Sequence, residues 1–480
     1  MKFSTIKKNI GLLLATGLLF NLTACNDFLK EESQSEVIPQ TATDYAELLM
    51  GSGYPGEKEP FNFTYLMDDD VEFNRSFTEL VGTDGAIEQF PTFTWQPDFV
   101  NRNGLGTEIA ATPNSTGYAQ YYTWIMGCNA VLDNIDEAIG TQEQRDRVRA
   151  EALAVRAFLY FRLANVYGEP YYKNPEALAV PLKLNSNLEE TYFKRATVQE
   201  VYTQVVNDLN EAARLLEPLD IVRGDYHINQ RAVQIILSRV YLYMEDWDNC
   251  IAHANAVFEL GGKIAMLSPY VGGEEPENSY LTYDNAEVEW IYGGNTQITS
   301  NPYIPKASFV ASFADNDARK SYFSGKSSAS GTYYILSKLQ SGAALSQVLR
   351  SSEALLNRAE AYAQKQETAL AAKDLNELRK NRISDYSDES FSSPAEVLTA
   401  IRNERRKEFC YEGFRWYDLR RYGMPAIEHE YQAQLGEPVQ TYTLEEEDPM
   451  YTLPFPNSLT SKNPEMIQNP SANAGPRAGQ

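Results

Sequence analysis

NERRKEFCYEGFRWYDLRRYG, residues 403–423, is crowded with charge. A basic run of this kind reads first as a binding patch. However, Glu404, Glu408, Glu412 and Asp418 are interleaved with Arg405, Arg406, Lys407, Arg415, Arg420 and Arg421 at helical neighbour spacing. Most of the charge is then neutralised inside the element, and the stretch reads as a structural ion-pair network.

Upstream, Ser393-Pro394-Ala395-Glu396 has the form of a capping box with proline at the first helical position, opening a helix through VLTAIRNERRKEFCYEGF. Earlier blocks have the same helical period. Ala154, Phe158 and Phe161 form one stripe, and Val201, Val205, Leu209 and Ala212 form another. QRAVQIILSRVYLYMEDWDNCIAHANAVFELGG reads as two helices joined at Glu245 to Asp248 and ending at Gly261 and Gly262. A further pair lies near residues 352–382. Small residues at the crossings, Ala154, Ala232 and Ala359, make the pairs resemble tetratricopeptide units, although no fixed period of 34 is visible. The expected organisation is mainly α, with helix-pair scaffolding over about 115–262 and 343–425. Two insertions rich in Gly, Pro, Asn, Asp and aromatics, about 51–113 and 263–341, are the places to look for a ligand. The Pro- and Asn-rich end, 426–480, is expected to wrap over the surface.

The other end begins with Lys2, Lys7 and Lys8 ahead of an apolar run, Ile10 to Ala24, too short for the roughly 20 residues of a membrane span. It reads as an export signal, 1–24. Leu22-Thr23-Ala24-Cys25 resembles a lipobox, which makes Cys25 the acylated first residue of a mature chain 25–480. Lys30, Glu31 and Glu32 resemble a tag for the outer face of the outer membrane. The formal charge of −24 repels nucleic acid, whose binding needs Lys and Arg on phosphates. Cys128, Cys250 and Cys410 are far apart and read as core thiols. His227, His253 and His429 are isolated, so no local metal-ligand spacing appears.

The 403–423 stretch closely resembles the C-terminal signature of the SusD/RagB family of nutrient-binding outer-membrane lipoproteins. ANVYGEPYYKNPEALAVPL, VLRSSEALLNRAEAYA and LPFPNSLTSKNPEMIQNP are similar to three further family segments. The resemblance implies a SusD-like fold of four tetratricopeptide-like helix pairs carrying an irregular ligand region. It also implies a surface-exposed, non-catalytic protein that captures an oligosaccharide, or in some members a peptide, as the lid of a SusC-like TonB-dependent transporter. No cofactor is implied. The alternatives are peptide capture and a helix-pair protein-interaction scaffold without a small ligand.

Trp124, Trp247, Trp290 and Trp416 fall where that family has structural aromatics, which leaves Trp95 of PTFTWQPDFVN in an insertion. A pyranose presents an apolar C–H face to an aromatic ring and hydroxyls to polar groups, so Trp95 with Asp98 and Asn101 fits glycan capture. YLMDDDVEFNR adds Asp68, Asp70, Asn74 and Arg75 as orienting groups. A glycosidase pair needs a set carboxylate separation that spacing cannot supply. Calcium on Asp68, Asp69 and Asp70 lacks an EF-hand pattern, so no metal site is expected. In the second insertion any aromatic platform must come from Tyr270, Tyr280, Tyr283 or Tyr303. That composition departs from a starch-type member and leaves shorter glycans or peptides open.

Overall fold

The computed structural model describes residues 38–56, 62–75, 81–102, 117–189, 191–271, 279–293, 302–328, 331–338 and 347–480. The leader, Cys25 and the charged residues 30–32 lie outside them. The longer helices are α1 (Ala42–Ser52), α2 (Asp84–Phe93), α3 (Tyr118–Leu132), α4 (Gln142–Tyr167), α5 (Val198–Leu216), α6 (Gln230–Met244) and α7 (Trp247–Glu259). They continue as α8 (Ser351–Gln364), α9 (Thr368–Lys380), α10 (Pro394–Glu408) and α11 (Arg415–Arg421). From α3 to α10 each packs on the next or next-but-one in a mainly helical scaffold compatible with helix-pair repeats, and α1 packs on α3 and α4. No described helix is long and apolar enough to cross a membrane.

Local chemistry sets the helix starts. Thr41, Thr141 and Thr197 each form a reciprocal capping box with the residue three positions on. At α10, Ser393 Oγ accepts from Glu396 N at 3.2 Å, but the Glu396 carboxylate turns back to Ser392 N at 2.7 Å. α5 buries the one-sided stripe its spacing predicts. In contrast, α4 is buried on every side from Ala150 to Tyr167, with Arg156, Arg162 and Asn165 inside as well as the apolar stripe. All-round burial is what a central helix shows.

That burial creates a problem at its C-terminus, where the last carbonyls have no intrahelical donor. Arg420 donates to Asn165 O and Gly168 O, and Leu453 N to Val166 O at 3.0 Å. Arg195 Nη2 at 3.1 Å and Asn469 Nδ2 at 2.9 Å both reach Tyr167 O. Two guanidinium ions at this helix end also complement its dipole. Burial pushes the pKa of Arg195 down to about 10. Phe455 is fully buried and stacks on Tyr167 at 4.3 Å. The terminal segment is thus no surface wrap in this region. It is the plug that the buried helix end requires.

The charges of 403–423 are structural, as read, but the expectation that they neutralise one another locally is corrected. Only Asp418 pairs within the stretch, with Arg405 (2.9 Å) and Arg421 (2.9 Å). Glu404 takes Arg319 (2.5 Å) and Arg379 (2.7 Å), and Glu412 takes Arg350 (2.6 Å) and Lys338. Arg421 grips Glu360 through two 2.7 Å hydrogen bonds. Glu408, with no exposed surface, accepts from Arg382 at 2.8 and 2.9 Å and from Arg319 at 3.1 Å, with Arg350 at 3.6 Å. These partners come from distant segments because a buried ion must be met in three dimensions and not along one helix face.

Among the described residues, four two-stranded antiparallel ladders lie outside the helices. β1 (Val71–Phe73) pairs with β3 (Tyr303–Pro305), and β2 (Val288–Tyr292) pairs with β6 (Gln347–Arg350). β4 (Phe323–Ser328) pairs with β5 (Gly331–Leu336), and β7 (Ile427–Tyr431) pairs with β8 (Gln440–Leu444). β7 packs beside β1, and β5 beside β3.

Two outcomes follow for stability. Glu408→Gln leaves three converging guanidinium ions short of a negative charge and is expected to cost about 3–5 kcal/mol in chemical denaturation. Burial would raise the Glu360 carboxyl, but the guanidinium groups of Arg421, Arg402 and Arg405 outweigh it and bring its pKa from 4.5 down to about 2. A folded value below the unfolded one means that its stabilisation is complete above about pH 4.5 and is lost as pH falls toward 2, on the order of 3 kcal/mol in all. Acid titration of unfolding should therefore show a shallower slope in that window for Glu360→Gln than for the wild type.

Candidate functional site

The alternating strands of the outer ladders turn polar side chains one way and apolar ones the other. β7, IEHEY, buries Ile427, His429 and Tyr431 and exposes Glu428 and Glu430. β1 buries Val71 and Phe73 and leaves Glu72 half-buried between them. Set beside β3 and β5, these strands enclose an open cleft of about 520 Å³. That volume lies in the range that holds small ligands. Its walls carry Glu72, Asn74, Arg75, Lys306, Thr332, Tyr333, Glu428, Glu430 and Thr441, and the His429 and Phe93 rings reach its floor.

Electrostatics divides these groups. Arg75 and Glu430 are half-exposed and bonded to each other at 2.5 Å. Burial raises the pKa of Glu72, opposed by the Ala307 N–H and the Lys306 ammonium. Asn74 is buried, its backbone N–H held by Pro302 O at 2.7 Å. The half-buried Tyr333 ring is the aromatic member of the wall.

Beneath the floor, His429 is stacked between Phe93 (centroids 4.1 Å, 11° apart in plane) and Trp95 (4.2 Å, 22°). Its Nδ1 lies 2.6 Å from Phe93 O and its Nε2 2.9 Å from Asp68 O. Burial pushes the imidazole pKa down to about 4, against the pull of those two carbonyls.

This sandwich corrects the expectation for Trp95, which has no exposed surface. Its Nε1 donates to Met67 O at 2.9 Å, and its own carbonyl accepts from Arg477 Nε at 2.9 Å. These contacts hold the backbone at φ +51, a left-handed conformation that is unfavourable for so bulky a residue. A ring covered on one face by His429 and shut away from solvent has nothing to stack on a sugar.

Asp68 and Asp70 are also buried and hold the floor, so their expected direct role is corrected too. Asp68 Oδ1 accepts from Asp70 N at 2.9 Å, and Asp70 Oδ1 accepts from Arg406 Nε at 2.6 Å. Burial would raise Asp69, but Arg415, at 2.6 and 2.8 Å, and Arg406 hold its carboxyl below the usual range. Asp68 is pushed well above that range by burial and by Asp70 and Asp69. The three carboxyl groups lie within 4.8 Å of one another. Two guanidinium ions, Arg406 on Asp70 and Arg415 on Asp69, already face this cluster.

The remaining expected contacts scatter. Asp98 pairs with Arg102, and Asn101 Oδ1 accepts from Asn457 N at 2.9 Å. Tyr303 is buried and donates to Ala86 O at 2.7 Å, and Tyr280 is buried beside Glu408 at 3.4 Å. Tyr283 accepts from Ile291 N at 3.1 Å, and Tyr270 packs against the core. Of the sequence-derived set, the cleft brings together Asn74 and Arg75 alone. Glu72, Lys306, Thr332, Tyr333, Glu428, Glu430 and Thr441 were missed. The period-two carboxylates of IEHEY are the signal that points to part of that wall.

A second cavity, about 440 Å³, opens at the end of α4 between Pro170, Arg195, Met424, Pro449, Ile467 and Asn469. Several of its polar groups are already spent: Arg195 and Asn469 on backbone carbonyls, Asp448 on Arg477 at 2.7 Å, and Lys173 on Glu447 at 3.1 Å. It is the weaker candidate for recognition.

Comparison with known proteins gives one consistent set of relatives. Residues 27–242 match a SusD-like family model described as starch-binding and associating with the outer membrane, and residues 280–471 match the SusD family model. The chain is 22% identical over 289 residues to SusD-like protein P25 of Formosa agariphila, covering 57% of this chain and 49% of that one. It thus spans about half the length of that curated relative. Its fold is shared with a SusD-like carbohydrate-binding protein from Bacteroides vulgatus (23% identity, TM-score 0.68, 89% of this chain and 98% of that one). It is shared equally with a SusD superfamily protein from Bacteroides thetaiotaomicron (23% identity, TM-score 0.69, 90% of this chain and 100% of that one). With family models matching both its N-terminal and C-terminal parts, and that fold throughout, the chain belongs to the SusD/RagB family.

Proposed function

We propose that the protein is a surface-exposed outer-membrane lipoprotein that captures a glycan in the cleft between β7 and β5 and presents it to a SusC-like TonB-dependent transporter. The observation that carries this reading is the cleft itself: a half-buried Tyr333 ring beside carboxylate, ammonium, guanidinium and hydroxyl groups. Sugar rings need this mixture, an aromatic face for C–H groups and charged or hydroxyl groups for the ring hydroxyls. The family's starch-binding description and a carbohydrate-binding structural relative favour a glycan over a peptide.

Capture without chemistry is the expected mode. The ligand lies against Tyr333, hydrogen bonds to Thr332 and Thr441 set its register, and the exposed Arg75–Glu430 pair opens to engage hydroxyls. Acylated Cys25 holds the domain beside the transporter.

Three measurements test this reading. Against the oligosaccharide that binds most tightly in a calorimetric screen, Tyr333→Ala and Arg75→Ala should each weaken affinity by about tenfold or more. Trp95→Phe should leave affinity unchanged while lowering the melting temperature, and the wild type should release the glycan uncleaved. If Tyr333→Ala and Arg75→Ala both bind normally, the cleft is the wrong site; if sugar is cleaved, the non-catalytic reading fails. Cys25→Ala should leave the outer-membrane fraction, whereas retention there after a salt wash contradicts lipid anchoring. Affinity capture in mild detergent with both genes expressed should bring down a barrel-sized partner, and its repeated absence contradicts delivery to a transporter.

A further inference from the structure

The charges on the cleft wall are uneven. Three carboxylates, Glu72, Glu428 and Glu430, face two cations, Arg75 and Lys306. Arg75 is already engaged by Glu430 at 2.5 Å. Among the described residues, Glu72, Glu428 and Lys306 make no ion pair within 4.0 Å, although Lys306 acts on Glu72 from farther off, so the wall keeps an excess of negative charge toward a ligand. Glu72 is held in place by the Ala307 backbone N–H. The rest of the molecule reinforces the imbalance, with 66 acidic against 42 basic side chains.

We propose that this cleft selects its glycan by charge, taking neutral chains and, most tightly, chains carrying free amines such as unacetylated amino sugars, and rejecting polyanionic glycans such as uronates and sulfated chains. This rests on the glycan reading of the same cleft. A sugar ammonium has three N–H donors, and charge-assisted hydrogen bonds to Glu72 and Glu428 are stronger than those a neutral hydroxyl makes. A uronate or sulfate brings like charge against the same groups, with Lys306 as the one cation lining the wall outside the Arg75–Glu430 pair. Like-charge juxtaposition in a binding site is how a protein refuses a competitor of the right shape. The negative field of the whole chain adds to this at a distance.

The test has two parts. On an immobilised array of neutral, amino, uronate and sulfated oligosaccharides, the bound members should be neutral or amine-bearing. Calorimetry should then compare a glucosamine hexamer with its N-acetylated counterpart, which share linkage and ring and differ in charge. The free amine should bind about tenfold more tightly, and in about 0.5 M NaCl the two should come within about twofold of each other. The double variant Glu72→Gln with Glu428→Gln should lose the preference while retaining the wild-type melting profile. Binding of uronate or sulfated chains, or equal affinity for the two hexamers, overturns the charge rule and leaves the glycan reading standing. A preference that survives in the folded double variant overturns the assignment to these carboxylates. If no glycan on the array binds, both readings fall together.

Discussion

The carboxylate of Glu408 has no exposed surface, and its burial sets the terms for much of the molecule. An isolated ion in that position would cost several kcal/mol, so the fold must deliver cations to it. Arg319 comes from the turn before β4, Arg350 from the end of β6 and Arg382 from just beyond α9. Each of these also reaches a second acid: Asp317 and Glu404 for Arg319, Glu412 for Arg350, and Glu287 for Arg382. The network closes only when the helical scaffold and the segments bearing the ladders are assembled together. It therefore makes the platform on which the cleft stands a property of the whole fold.

The same logic of filling buried polar demands builds the rest of the site. The C-terminal end of α4 needs donors, and Arg195, Arg420, Leu453 and Asn469 supply them, drawing 449–471 inward. The Asp68–Asp70 run needs cations, and Arg406 and Arg415 of the 403–423 stretch supply those. Above this layer His429 is clamped between Phe93 and Trp95. The cleft's floor is thus made of buried residues, and recognition is left to the rim strands, where side chains alternate outward.

This explains how much could be read in advance. Helices came through clearly because burial on one face leaves a 3.6-residue stripe, as in α5, and because α6 with α7 and α8 with α9 are separated by short breaks. The charged stretch was legible as structural but not as long-range: nothing in the neighbourhood of Glu408 announces Arg319, 89 residues away. Trp95 misled for a related reason. A tryptophan in a loop rich in Gly, Pro and Asn looks available, and the residues that bury it, Met67, His429 and Arg477, lie in three other parts of the chain. The cleft wall was partly written in IEHEY, but four of its members come from strands that meet only through pairing between residues far apart in sequence, such as Glu72 with Ile304.

The most direct measurement is a crystal structure with the best-binding oligosaccharide soaked or co-crystallised. The account predicts sugar density along Tyr333, with hydroxyls or amines within hydrogen-bond distance of Arg75, Glu72 or Glu428, and the Phe93–His429–Trp95 sandwich unmoved. Sugar stacked on an exposed Trp95, or seated in the cavity at the end of α4, would contradict it.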